Sequence, residues 1–368
     1  MAARETVQKV GLAALSLGLT LLLAEGALRM TGVPAARALV GARLTDARFT
    51  VLLDCYPSNP RGYFDIDLRT SESRSRYVNV APRRYEAVAA RAPYAVESRY
   101  NALRFRERAF SDLPAGKTRL ALLGDSFTEG QGVKEAETVA RTLARVLERR
   151  MPGRFDVVNC GRRGDDFPKL LETLDDCLAA EPDVVVYLMV LNDAEQSPEF
   201  RRRQSFVNDW ILLRGREEDE GVVPAGFFDS RLLTLVKGRI DALRVDRETT
   251  RWYREMYDEP NRAGWEHTQG DLREMDRRLR TRGGRFGVAL WPLFVGLEGS
   301  YPFAAAHEAI RASCEAGRIP FVDLRGAFAG SRTRDLWVHP LDHHPNERAA
   351  AAAAAALEEP VLALASRP

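Results

Sequence analysis

Between Asp183 and Asp193 the sequence reads DVVVYLMVLND, an unbroken apolar run from Val184 to Leu191 that ends in a polar pair. A strand with one wet face alternates apolar and polar residues. This run does not alternate, so it reads as a strand buried on both faces. Such a strand needs helices above and below it, which points the chain to an α/β architecture. The flanking sequence has the matching rhythm. TRLALLGDS from Thr118, FDVVNCG over 155–161, RFGVALWPLF over 285–294 and IPFVDL over 319–324 read as strands. Between them, Glu135–Met151, Phe167–Ala180, Thr268–Arg282 and Phe303–Ala316 carry apolar residues at helical spacing. The alanine-rich Asn346–Leu357 is a strong helix former. The alternation predicts a mainly parallel sheet with helices on both faces, a three-layer α/β/α sandwich over residues 116–368.

Three segments do not fit that rhythm. Val10–Ala24, VGLAALSLGLTLLLA, is uncharged, and Glu25 and Arg29 then interrupt it. It is short beside the roughly 20 residues of a full span. With Leu28–Met30 it reads as an uncleaved signal-anchor or transmembrane helix over 1–30. A cleaved signal is the second choice, because Glu25 sits badly for a small-residue cleavage site. A buried core helix is the third. Either of the first two places the remainder outside the cytoplasm. Residues 31–115 read as an irregular extension with short strands, and about 195–265 as an insertion with its own helices, amphipathic around SRLLTLVKGRIDALR. The expectation is that they form a lid and a pocket wall.

Charge and cysteine usage narrow the partners. The 54 basic and 52 acidic residues leave a net charge of +2, with no general footprint for nucleic acid. The arginines at 201–203 read as a solvated helix face or loop. Cys55, Cys160, Cys177 and Cys314 lie far apart without metal-ligand spacing, so they read as small buried side chains. Their pairing is left open.

In open α/β sheets, sites collect beyond the carboxyl ends of the strands. Gly124-Asp125-Ser126 follows the first strand, Asn159-Cys160-Gly161-Arg162-Arg163-Gly164 the second and Asn192-Asp193 the third. Asp342-His343-His344-Pro345-Asn346 precedes the alanine helix. Taken alone, Ser126 reads as a helix cap, Asn192 as a turn former, Gly164 as a loop glycine and His344 as a surface histidine. Together they have a chemical logic. A serine hydroxyl needs a base, histidine is the usual one, and an aspartate on the other ring nitrogen fixes its tautomer. The negative oxygen of a tetrahedral intermediate needs donors placed in advance. The backbone N–H groups of Ser126 and Gly164 and the Asn192 amide are the candidates. Asp125, Asp193 and His339 read as structural. Arg162, Arg163 and Asp165 read as solvated loop charges, and Trp210, Trp291 and Trp337 as core.

GDSFTEG, the N-x-x-x-x-G of Asn159–Gly164, Asn192-Asp193 and DHHPN at 342–346 resemble, in order and spacing, the four blocks of the SGNH hydrolases, also called the GDSL esterase/lipase superfamily. The resemblance covers roughly residues 118–362. It implies a flavodoxin-like sandwich and a Ser-His-Asp mechanism on esters without metal or organic cofactor. By position it makes Ser126 the nucleophile, His344 the base and Asp342 its supporting acid, with Ser126, Gly164 and Asn192 as oxyanion hole. Two positions depart from the common pattern. Val190 stands where many members have glycine, and Asp342 stands two residues before His344, not three. His343 is the competing histidine; His344 directly precedes Pro-Asn, as the pattern requires.

The expectation is a membrane-tethered esterase cleaving an acyl or acetyl ester through an acyl-enzyme. One alternative is an O-acyltransferase that uses the same triad on a cell-envelope polysaccharide. An alternative of another class is a non-catalytic carbohydrate- or lipid-binding module on this fold; retention of serine, histidine and aspartate together speaks against it.

Overall fold

The computed structural model describes residues 2–30, 51–56, 94–203, 230–339 and 342–366. Most of the expected irregular extension, the middle of the insertion and Trp210 lie outside the described residues. In chain order the elements are helix α1 (Ala2–Met30), strands β1 (Val51–Tyr56), β2 (Tyr94–Arg99) and β3 (Thr118–Gly124), and the one-turn α2 (Ser126–Glu129). There follow α3 (Val139–Arg150), β4 (Phe155–Gly161), α4 (Lys169–Cys177), β5 (Val184–Met189) and α5 (Pro198–Arg203). Next are α6 (Arg231–Glu255), α7 (Arg262–Thr281), β6 (Arg285–Leu290), α8 (Ala304–Ala316) and β7 (Phe321–Asp323). Strands β8 (Trp337–His339) and β9 (Asp342–Pro345) and helix α9 (Glu347–Ala365) complete the described chain.

Five strands form one parallel sheet in the order β4-β3-β5-β6-β7. This is the flavodoxin-like order, with its switch point between β3 and β5. The lack of alternation in the strands has the expected cause. Val185, Tyr187 and Met189 pack with α4, α7 and α8 on one face, whereas Val184, Val186 and Leu188 pack with α3 and α9 on the other. Register then sets the site edge. Gly124 stands level with Gly161 on one side and Leu188 on the other. The segments after β3, β4 and β5 therefore leave the sheet side by side.

The structure completes or corrects several sequence expectations. Cys160, Cys177 and Cys314 are buried as expected, and the pairing left open is a disulfide from Cys160 at the end of β4 to Cys177 on α4, with Cys314 free. The third strand ends at Met189, because Val190–Asp193 is a turn in which Asp193 Oδ2 accepts from Val190 N at 2.8 Å. Helix α9 continues to Ala365, through Pro360, because Val361 and Leu364 bury against the sheet. The described parts of the two additions are integral to the domain. Arg106, 1% exposed, donates to the carbonyls of Gly130 and Val133, and Glu107 accepts from Asn159 N. From the insertion side, Tyr257 donates to Leu191 O, and Asn261 exchanges hydrogen bonds with Glu195 and Ser197.

Helix α1 is, among the described residues, the one helix long and apolar enough to cross a membrane, over Glu5–Met30, and none of that stretch is buried. Glu25, the residue that interrupts its apolar pattern, accepts from Ser230 Oγ and Leu232 N at the start of α6, each at 2.9 Å.

Candidate active site

Ser126 is the first residue of α2, directly beyond the end of β3. Asp125 caps this short helix, its Oδ1 accepting from Phe127 N at 2.8 Å. The turn lies hard against β4. A methyl group added at Gly161 would come within 2.1 Å of Glu129 N, so glycine there permits the approach. The serine hydroxyl is left half-buried and faces a residue 218 positions away: Ser126 Oγ lies 2.8 Å from His344 Nε2.

His344 stands on β9, in a two-residue alternation that sends Asp342 and His344 to one face of the β8–β9 ribbon and His343 to the other. His343 instead stacks on Trp337, ring centroids 3.8 Å apart. His344 Nδ1 is in short contact with Asp342 Oδ1, which also accepts from His344 N at 3.2 Å. The other oxygen of Asp342 accepts from Gln131 Nε2 at 3.1 Å. Phe127 covers the imidazole from the side, ring centroids 5.2 Å apart, and leans on Trp291 and Phe294. Asn346, just beyond the ribbon, caps α9 through Arg348 N and Ala349 N and donates to the carbonyls of Asp335 and Trp337.

The electrostatics follow from burial and pairing. Burial works against charge on His344, but the adjacent Asp342 carboxylate outweighs it, and the imidazole's affinity for a proton is raised. Burial alone would raise Asp342; the charge and hydrogen bonds of His344, with Gln131, hold it well below the usual carboxylate range. Burial lifts the Asp125 carboxyl to about 6, against the N–H of Phe127 and the charge of His344. Burial likewise raises Asp193 far above its ordinary range, and the charge of Asp125 adds to this. Of the three aspartates, one is thus held below the ordinary carboxylate range and two above it.

The structure brings Ser126, His344 and Asp342 together by direct contact. Gly164 and Asn192 stand on the loops that flank Ser126, after β4 and β5. Gly164 has φ +73°, a left-handed value open to glycine, and is exposed. Asn192 is half-buried, and its amide makes no hydrogen bond to any described residue. The turn that carries it is fixed by Asp193, which is fully buried and accepts from Tyr187 Oη at 2.6 Å. The loop charges are not solvated as expected. Arg162 donates to Asp176 and to Leu103 O, Asp165 accepts from Thr173, and Arg163 pairs with the buried Glu129. Glu129 and Gln131 were missed from sequence. They lie within the first block, but no local signal distinguishes a buried, partnered polar residue from a solvated one. Trp291 is fully buried, as expected of core, whereas Trp337 is part-exposed.

No group of three or more His, Cys, Asp or Glu side chains among the described residues could hold a metal ion. The geometry offers a hydroxyl, an imidazole on that hydroxyl and a carboxylate on the imidazole, beside two loops in which the Gly164 N–H and the Asn192 amide make no hydrogen bond to any described residue.

Residues 122–352 match the model of the GDSL-like lipase/acylhydrolase family. No curated protein matches the chain. Solved structures similar to it include TesA, at 17% identity and TM-score 0.40, covering 67% of this chain and 99% of TesA. An acetyl xylan esterase, AlAXEase, is 14% identical with TM-score 0.39 over 66% of this chain and 99% of its own. The psychrotrophic esterase EstA from Pseudoalteromonas sp. is 14% identical with TM-score 0.39 over 67% of this chain and 98% of its own.

Proposed function

This chain belongs to the GDSL-like lipase/acylhydrolase family, and from that premise we propose that it is a serine esterase working through an acyl-enzyme, with Ser126 as nucleophile, His344 as general base and Asp342 as the group that orients and charges the base. The observation that carries this reading is the 2.8 Å contact between Ser126 Oγ and His344 Nε2, with Asp342 on the opposite ring nitrogen.

With Nδ1–H donated to Asp342, Nε2 is the unprotonated nitrogen and can take the serine proton as Oγ attacks the ester carbonyl. The carbonyl oxygen becomes an oxyanion. The backbone N–H of Ser126, with the N–H of Gly164 and the amide of Asn192 on the two flanking loops, stabilises it. The C–O bond to the alcohol breaks as His344 returns the proton to the leaving oxygen. Water, deprotonated by His344, then attacks the acyl-Ser126 ester, and collapse releases the acid and restores the hydroxyl. Asp342 stays ionised throughout, which its depressed affinity for protons favours. A binding module would have no need for this hydrogen-bonded series.

We also propose that α1 anchors the chain in a membrane with residues 116–368 outside the cytoplasm as the catalytic domain. The length and apolarity of α1 support the anchor. The Cys160–Cys177 disulfide supports the compartment, because such bonds persist mainly where the surroundings are oxidising.

The test is labelling of the detergent-solubilised full chain with a fluorophosphonate, beside Ser126→Ala and His344→Ala. Labelling of wild type that disappears in the first variant and falls by at least about 10³-fold in rate in the second is expected. Labelling that survives Ser126→Ala would sink the reading.

A further inference from the structure

The loop that presents Gly164 is irregular, yet its N–H must stand at a fixed distance from Ser126 to bind an oxyanion. What holds it is an ion pair between the part-buried Arg163 and the buried Glu129. Glu129, the last residue of α2, is 2% exposed. Its Oε1 accepts from Arg163 Nε at 2.5 Å, and its Oε2 accepts from the backbone N–H of the same arginine at 3.2 Å. Tyr100 Oη donates to Oε1 at 2.8 Å. One carboxylate thus grips both the side chain and the main chain of the residue before Gly164, from a position three residues after Ser126.

A buried ion pair is a poor device for stability alone, since desolvation offsets most of the attraction. It is a good device for register, because separating the partners would leave the buried Glu129 carboxylate without its counter-charge. Here it spans the two segments whose separation matters, the nucleophile turn and the donor loop. We propose that Glu129 is a positioning residue for the reaction, and that Tyr100 assists it: through Arg163 they set the place of the Gly164 N–H relative to Ser126. Tyr100 lies ahead of the matched stretch 122–352, so part of this device comes from outside the family domain. The proposal rests on Ser126 being the nucleophile and Gly164 an oxyanion donor.

The test uses the full chain as wild type, Glu129→Ala, Glu129→Gln and Tyr100→Phe. It reads the rate of fluorophosphonate labelling, kcat and KM on p-nitrophenyl acetate, and thermal unfolding. Loss of one oxyanion donor lowers kcat by about 10²–10³-fold, so a displaced donor in Glu129→Ala is expected to lower kcat and the labelling rate by about 10–10²-fold. KM should stay within about threefold, since the interaction is made in the transition state. Glu129→Gln keeps an oxygen for the Arg163 N–H and is expected to recover at least half of the lost logarithm. Tyr100→Phe is expected to fall by about two- to fivefold. Should Glu129→Ala not fold, the other two variants carry the same comparison. Variants that unfold at lower temperature but keep wild-type kcat and labelling rate would overturn the proposal, as would a loss confined to KM. Wild type inert to both reagents would overturn the esterase reading itself, and this inference with it.

Discussion

Asp342 and Asp125 are the same side chain in two surroundings, and each surrounding makes a different prediction. Asp342 faces an imidazole and is held ionised, so replacing it by asparagine removes the charge that raises His344. Asp342→Asn is expected to lower kcat by about 10³–10⁴-fold and to move the acid limb of kcat/KM to lower pH. On the proposed mechanism, that limb in wild type marks deprotonation of His344. Activity should rise with pH through a midpoint above the ordinary histidine value of about 6.5. The stability signs follow. The depressed Asp342 contributes stability above the ordinary aspartate range, and this is lost as pH falls through its folded value. The raised His344 contributes fully below its unfolded value and loses this as pH rises through the folded one. Their window of joint stabilisation is therefore roughly pH 4 to 6.5. Asp125 has the sign opposite to that of Asp342. Its carboxyl is raised to about 6, so it holds its proton more tightly folded than unfolded, and stability falls as pH climbs from the ordinary aspartate range. Asp125→Asn keeps an oxygen for Phe127 N. It is expected to melt at or above wild type at pH 8 and level with it near pH 4, a comparison open to differential scanning fluorimetry.

Among the elements, the last helix and the ribbon before it bear most directly on the site. Asn346 is fully buried and its side chain makes four hydrogen bonds, two capping α9 and two holding the carbonyls of Asp335 and Trp337. Asn346→Ala is expected to cost about 2–4 kcal/mol by denaturant unfolding, a lost cap plus buried carbonyls left unpaired. It should also lower kcat, since Asp342 and His344 ride on the same ribbon. Gly161→Ala forces a methyl into the backbone of α2, and a loss of labelling larger than its loss of stability is expected. These elements differ in how far they could be read beforehand. Strands β3 to β6 were legible because burial on both faces writes itself as an unbroken apolar run. Their ends were not, because the turn at Val190–Asp193 is apolar in its first half and is closed by a carboxylate that looks like a surface residue. The helix expected from Glu135 begins at Val139, since Thr138 caps it after a separate 3-10 turn. Of the candidate site, Ser126 and His344 could be named because chemistry restricts what stands there. Glu129, Gln131 and Tyr100 could not, since their burial is decided by segments remote in sequence. The pairing of Cys160 with Cys177 was equally hidden, because spacing does not report which side chains a fold brings into contact.

For the molecule as a whole, the β4-β3-β5 order puts the proposed nucleophile between its two proposed donor loops, and the two additions brace those loops from behind. Tyr100, Arg106 and Glu107 hold the Ser126 and Gly164 side, while Tyr257 and Asn261 hold the Asn192 side. The disulfide closes a separation of 17 residues within this frame. Cys160→Ser with Cys177→Ser is expected to lower stability by about 3 kcal/mol, read by denaturant unfolding against the oxidised chain. One consequence of the frame concerns the order in which the chain is made. Ser126 meets His344, its proposed base, across 218 residues, and that histidine lies on the strand before α9. While the chain is still being synthesised, β3 to β6 can assemble with the serine in place long before His344 exists to accept its proton. Contacts this remote in sequence are also late to close in folding. On the proposed mechanism the serine of a half-made or half-folded chain is an ordinary alcohol, and esterase activity is expected to appear only when the C-terminal ribbon docks.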